Sequence, residues 1–413
     1  MLSTWTDETP SIFNLEEEKT RLFVLYPVVC YQRLLTVIMS TYGNNTMSKK
    51  KNKFASNGTV RIGSLEVTDF KALDQLTLHF PAPTMANDPD VFVLGSRNGL
   101  GKTSVLEACA LILAAARIEK GLRKEMLRNV GRRYEERPVN LSDLFVRSGV
   151  EESTVAADLE SGQERVRLCL RVSRNGWLTL EPDSISLLPL AQGDSAMQWE
   201  MEQQSDSLAS FSPEPLAIPP LLYFHSNRRV SEGAPEFGAW VERGARRPVR
   251  WRRPGEKGVS AFKMELLSLL MNKADLFESS ENGKEESAKS LEQLNQFIER
   301  YAGGRIDKLL PAADNTVDFR IAPSKGGPSF SFDGLSSGQK EVISTLFLVW
   351  RHTRKTPMII LIDEPELHLN PEWQRDFVQQ IYSISPGSQL IIATHSEDIF
   401  GSVPEDRRIL LGN

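Results

Sequence analysis

The chain has 413 residues, a formal charge of −5, and 40% hydrophobic and 25% charged residues. That balance argues against wholesale disorder and against a chain-wide basic nucleic-acid binder, and the length suits two or three domains or one large domain carrying an insertion. Cys30, Cys109 and Cys169 lie far apart and form no CxxC pair, so neither a disulfide framework nor a cysteine zinc site is expected, and a reducing cytosol fits.

No apolar run reaches the roughly 18 residues of a membrane span. The nearest, Phe23 to Ile38, is interrupted by Gln32 and Arg33 and follows an acidic stretch, unlike the basic start of a signal peptide. Residues 1–58 end in Lys49, Lys50, Lys51 and Lys53 and read as an N-terminal extension outside the fold, with Met47 an alternative start.

From Val60 the pattern becomes regular. Val60, Ile62, Leu65 and Val67, then Leu76, Leu78 and Phe80, predict two strands around a turn at Asp69 to Asp74. Val91 to Leu94 is continuously apolar, as in a strand covered on both faces. A Gly-rich loop and an apolar helix from Thr103 to about Ala116 follow, and strand–loop–helix is the entry unit of a nucleotide-binding α/β domain. Between 118 and 312 the chain is mixed: Val166, Leu168, Leu170 and Val172 alternate with polar residues as in a half-exposed strand, 192–216 is a polar loop, and helical spacing returns at Phe262 to Phe277 and at Leu291 to Tyr301. Beyond 313 the expected elements are strands at Val317 to Ile321 and at Phe330 and Phe332, a helix from Gly338 to Trp350, a buried strand Met358 to Ile362, a helix Glu372 to Ile384 and a buried strand Leu390 to Ala393.

Ser96-Arg97-Asn98-Gly99-Leu100-Gly101-Lys102-Thr103, followed by Ser104, has the spacing of a phosphate-binding loop, with Ser96 where a first glycine is usual. Gly99 and Gly101 permit a tight turn whose N–H groups converge on phosphate at a helix N-terminus. Lys102 is then placed for the β- and γ-phosphates and the Thr103 hydroxyl for Mg²⁺. Ile359 to Ile362 leads into Asp363-Glu364, a strand ending in two carboxylates, which suits Asp363 for the metal and Glu364 for the attacking water; strand alternation is expected to send the two side chains apart. Leu335-Ser336-Ser337-Gly338-Gln339 opens a helix 28 residues before Asp363, and its exposed N–H groups can face an anion. Ile391 to Thr394 delivers His395 at a strand's carboxyl end, where ligands collect in open α/β sheets.

Taken in order, SRNGLGKT, LSSGQ, IILIDEPELHLNP and THS resemble the Walker A, signature, Walker B with D-loop, and switch-histidine elements of ABC-type ATPases. More narrowly they resemble the SMC and RecF-like branch, including the AAA ATPase portion of the overcoming-lysogenization-defect (OLD) family and the ATPases of anti-phage systems such as Septu and PARIS; residues 62–71 resemble the first strands of that branch. The resemblance implies an α/β P-loop NTPase of ABC/SMC-head type with a mixed sheet, split by an α+β insertion: N-lobe 59–117, insertion 118–312, C-lobe 313–413. It implies ATP and Mg²⁺ as cofactors. It also implies a head-to-tail dimer in which Ser337 and Gly338 of one copy close over the other's nucleotide, His395 senses the γ-phosphate and Leu369-Asn370-Pro371 lies along the seam. A glutamine loop is expected after the Walker A helix, and residues 143–149 resemble a segment near it.

The expected activity is ATP hydrolysis with Lys102, Glu364 and His395 as catalytic residues, controlling a separate cytosolic effector such as a nuclease, because 18 residues follow His395. The alternatives are a RecF-like repair ATPase and a non-hydrolysing ATP-gated scaffold, against which Glu364 speaks. A transporter subunit fits poorly, since 233 residues separate Lys102 from Leu335. Arg243, Arg246, Arg247, Arg250, Arg252, Arg253 and Lys257, with Trp240 and Trp251 interleaved, suit either a phosphate backbone with stacking or a solvated loop with internal salt bridges, the latter slightly favoured.

Overall fold

The computed structural model describes residues 60–85, 88–95, 99–117, 145–174, 178–181, 216–218, 221–226, 228, 230, 261–273, 281–311 and 317–412. The expected extension 1–58, the arginine cluster at 243–253 and the polar loop expected at 192–216 lie outside them, except Leu216, which opens a strand. Among the described residues no helix is long and apolar enough to cross a membrane.

The centre is a six-stranded sheet in the order β14-β3-β13-β12-β8-β7, comprising β3 (Val91–Gly95), β7 (Leu216–Ile218), β8 (Leu221–Phe224), β12 (Ile359–Asp363), β13 (Gln389–Thr394) and β14 (Arg408–Leu410). All neighbours are parallel except the β7–β8 pair. Uniformly apolar strands are what such a sheet needs, because both faces are covered. Successive side chains then serve opposite faces. Phe92, Leu94, Tyr223, Leu361 and Ile391 enter one core with helix α1 (Lys102–Arg117), while Val91, Val93, Phe224, Ile360 and Ile392 enter a second core on the other face.

The first core is closed by a five-stranded antiparallel sheet, β2-β1-β4-β5-β6, built from β1 (Val60–Phe70), β2 (Leu73–His79), β4 (Glu152–Ser161), β5 (Glu164–Ser173) and β6 (Leu178–Glu181). Helix α1 lies between the two sheets, which explains why its residues are buried almost all round. Gln389 fastens the sheets together: its side-chain amide accepts from Ile62 N–H (2.7 Å) and donates to Ile62 O (2.8 Å). The second core is covered by α2 (Ala261–Lys273), α3 (Glu281–Ala302), α4 (Ser337–Thr353), α5 (Pro371–Ile384) and the sheet β11-β10-β9 (Phe330–Ser331, Val317–Pro323, Gly304–Pro311). A short helix, α6 (Glu397–Gly401), follows β13.

The stretch expected as an insertion, 118–312, does not stand apart in its described residues. Its β4 and β5 continue the sheet begun by β1, and its β8 pairs with β12 in the centre of the fold. The physical reason is that β1 and β12 each need a partner along an edge the flanking motifs leave open, and distant strands supply it.

Candidate functional site

Register puts the carboxyl ends of four parallel strands level: Gly95 pairs with Thr394, Asp363 with Ala393, and Ile362 with Phe224. The loops leaving these ends therefore meet. Gly99 and Gly101 take φ of 83° and 87°, a region that favours glycine, and a Cβ on Gly101 would come within 2.4 Å of Leu73 Cδ2. Helix α1 starts at once, with Val105 N–H donating to Gly101 O at 2.9 Å. Ser96, Arg97 and Asn98 lie outside the described residues; Leu100 is exposed, and Ser104 is buried.

Lys102 is 5% exposed, and its ammonium stands 2.8 Å from His395 Nε2. Burial lowers its pKa, opposed by the attraction of Glu364, Asp363 and Glu366. His395 Nε2 is in turn 3.4 Å from Glu364 Oε1. Beside this trio the Thr103 hydroxyl donates to Asp363, 3.0 Å to Oδ2. Asp363 is 1% exposed; burial, reinforced by the like charge of Glu364, pushes its carboxyl up to about 7. The sequence-derived residues Lys102, Thr103, Asp363, Glu364 and His395 thus meet at one place.

The expected strand alternation is not what separates Asp363 from Glu364. Strand β12 ends at Asp363, and Glu364 adopts φ 45°, ψ 59°, a left-handed conformation ahead of the Pro365–His368 turn. Proline cannot continue the ladder, so the chain turns immediately and carries Glu364 toward His395.

Ser336, Ser337, Gly338 and Gln339 are elsewhere in the network. Ser336 caps α4 in a reciprocal capping box with Gln339, and Gln339 also donates to Tyr301 O at 3.0 Å. Both serines are exposed at the helix start. Asn370 caps α5 by accepting from Trp373 N–H at 2.9 Å. The glutamine loop stays unassigned: 145–147 of the segment expected near it are tied to the β1–β2 turn, where Lys71 N–H donates to Phe145 O and Arg147 N–H to Asp69 O, both at 3.0 Å.

Several residues around the site escaped the sequence reading. The Glu366 carboxylate accepts from the Thr394 hydroxyl (2.7 Å) and from His395 N–H (2.5 Å), holding the histidine loop. Ser396 donates to Gln374, which donates to Leu369 O, so the expected seam loop is wired to the same loop, each step at 2.7 Å. Glu366 had a signal, a third acid two residues past Glu364. Arg228 had none: it is 135 residues from Asp363 in sequence, yet its guanidinium donates to Asp363 O at 2.6 Å and forms a buried ion pair with Glu341.

Fold, motif order and placement define the class: an α/β P-loop fold with its phosphate loop, paired acids and histidine at the strand ends, similar to the SMC/RecF-like ABC ATPases and to anti-phage ATPases. Residues 218–400 match the family model described as "AAA domain, putative AbiEii toxin, Type IV TA system". Over 152 residues, 34% of this chain and 29% of the relative, it is 26% identical to "Retron Vc95 probable ATPase" of Vibrio cholerae serotype O1 biovar El Tor. Over 110 residues, 24% of this chain and 27% of the relative, it is 41% identical to "Septu protein PtuA" of Bacillus thuringiensis. The chain thus spans less than a third of the length of these curated relatives. Among solved structures it is similar to an SMC head bound to the C-terminal winged-helix domain of ScpA, with 15% identity, a TM-score of 0.45, and coverage of 83% of this chain and 91% of that one.

Proposed function

We propose that the chain binds ATP with Mg²⁺, hydrolyses it at a site completed by a second copy, and thereby regulates a separate cytosolic effector in anti-phage defence. The observation that supports this most is the meeting of Lys102, Thr103, Asp363, Glu364 and His395 at level strand ends. Lys102 would neutralise the β- and γ-phosphates as the N–H groups of 99–103 cradle them. Thr103 Oγ1 and the Asp363 carboxylate fit Mg²⁺, which favours a carboxylate, a hydroxyl and phosphate oxygens. Among the described residues no three His, Cys, Asp or Glu side chains converge as an all-protein metal cage. When bound, the cation would neutralise the charge of the Asp363 carboxylate and the phosphates.

In this reading Glu364 orients and deprotonates the attacking water, and His395, its loop held by Glu366, contacts the γ-phosphate. The exposure of Ser336 and Ser337 at the start of α4 supports a role toward another copy, with the Ser336 N–H and hydroxyl already engaged by Gln339 in the capping box. The defence assignment is supported by the likeness to the retron ATPase and to PtuA.

The test is Glu364→Gln. Steady-state hydrolysis should fall by about 10²-fold or more while ATP affinity persists, and size-exclusion chromatography with ATP should trap a dimer. Normal turnover in this variant would remove Glu364 from the role.

A further inference from the structure

Arg228 is 4% exposed and Glu341 is 5% exposed, and the two form an ion pair through Nε and Oε1. A buried pair of this kind is costly to desolvate and frequently no more stabilising than apolar side chains of the same volume. The rest of the guanidinium is spent on main chain. Its Nη1 donates to Asp363 O (2.6 Å) and His225 O (2.8 Å), and its Nη2 reaches Glu364 O at 3.4 Å.

The carbonyls of Asp363 and Glu364 belong to the two peptide groups that flank the Glu364 Cα, so holding both constrains its φ and ψ. Those angles lie in the left-handed region, which is unfavourable for a residue with a Cβ and persists only where the surroundings over-determine it. From the opposite side the Glu364 N–H is held by Ala393 O at 2.8 Å. Glu341 lies one helical turn beyond Ser337 on α4, so the guanidinium is anchored to the helix whose first turn bears the exposed serines.

We propose that Arg228 is a positioning residue: clamped by Glu341, it holds the Asp363 and Glu364 carbonyls so that the Glu364 carboxylate is presented toward His395. The role rests on the ATPase reading above. It predicts a rate defect that persists once the stability lost with a single buried charge is restored.

The experiment compares the full chain with Arg228→Met, Glu341→Met, the Arg228→Met/Glu341→Met double variant, Arg228→Lys and Lys102→Ala, measuring Tm, binding of a fluorescent ATP analogue, kcat and KM. Each methionine single variant should lose stability, because one charge stays buried without its counterpart. The double variant should recover a Tm near the parent's and bind nucleotide within about threefold, yet keep a kcat at least tenfold low with KM little changed. Arg228→Lys keeps a charge toward Glu341 but lacks the fork, and should fold with a similarly low kcat. Parent-like kcat in the folded double variant overturns the proposal, leaving the pair a packing element. If the double variant does not fold, parent-like kcat in Arg228→Lys overturns it in the same way, and a low kcat supports it. A parent without Lys102-dependent turnover overturns the ATPase reading itself and this role with it, a result distinct from either of the others.

Discussion

Two helix starts in this molecule use the same materials, glycine and hydroxyls, with different exposure. At the start of α1, Lys102 and Ser104 are buried, and Lys102 and Thr103 meet the carboxyl ends of β12 and β13. At the start of α4, Ser336 and Ser337 are exposed and the capping contacts run to Gln339 and onward to Tyr301. The first is assembled internally, with partners from the same chain. The second is presented outward, and its geometry makes sense when it meets something else. In the proposed head-to-tail dimer, the exposed start of one copy would meet the nucleotide held at the buried start of the other.

The sharpest way to break this comparison is to damage each start separately. Lys102→Ala should reduce ATP affinity by about 100-fold or more, since a buried charge–phosphate contact is lost. Ser337→Arg should leave affinity in the monomer near normal and remove ATP-dependent dimerisation, read by analytical ultracentrifugation. Equal effects of the two changes on monomer binding would erase the distinction between the starts.

A smaller effect is expected from Glu366→Ala, which frees the Thr394–His395 loop and removes one of three carboxylates that attract Lys102 while keeping the Thr103–Asp363 hydrogen bond. Turnover should drop roughly tenfold with nucleotide affinity within a few-fold, as for loss of one or two orienting hydrogen bonds. Gly101→Ala should cost about 1–3 kcal/mol of stability by denaturant titration, because φ is positive and Leu73 occupies the space; the same change at Gly99, where no atom lies within 4 Å of the added Cβ, should cost less.

The smallest effect concerns pH. His225 lies at the end of β8, and burial, with Lys71 and Arg228 nearby, depresses its pKa to about 3. Its folded value is below its unfolded value near 6.5, so the unfolded chain takes up the proton first. Its contribution is therefore fully present above about pH 6.5 and declines as pH falls toward 3. His225→Gln should flatten the fall of Tm between pH 6.5 and 4 relative to the parent, and an unchanged slope would refute the buried neutral imidazole.

Local segments with their own periodicity were readable from sequence: the Val91 strand, the Gly-rich loop and α1, the Ile359 strand with its two acids, and the Leu390 strand with His395. Each is contiguous and bounded by turn residues, so hydrophobic run length and spacing sufficed. The four-residue Leu221–Phe224 strand was not recognised, because a short apolar run becomes a sheet strand only when β12 is beside it. The separation of Asp363 from Glu364 was expected from strand alternation and arises instead from a left-handed residue, a conformation that local propensity disfavours and surrounding contacts impose.

The sequence alone determined which residues are equipped for phosphate, metal and water chemistry, since these depend on functional groups at short spacing. Tertiary structure decided how they are held. It brought Arg228 and Glu341 behind Asp363 and Glu364 and joined Glu366 to His395 and Gln389 to Ile62. Those contacts cross tens to hundreds of residues, and their energies depend on burial and angle, which exist only once the sheets have packed.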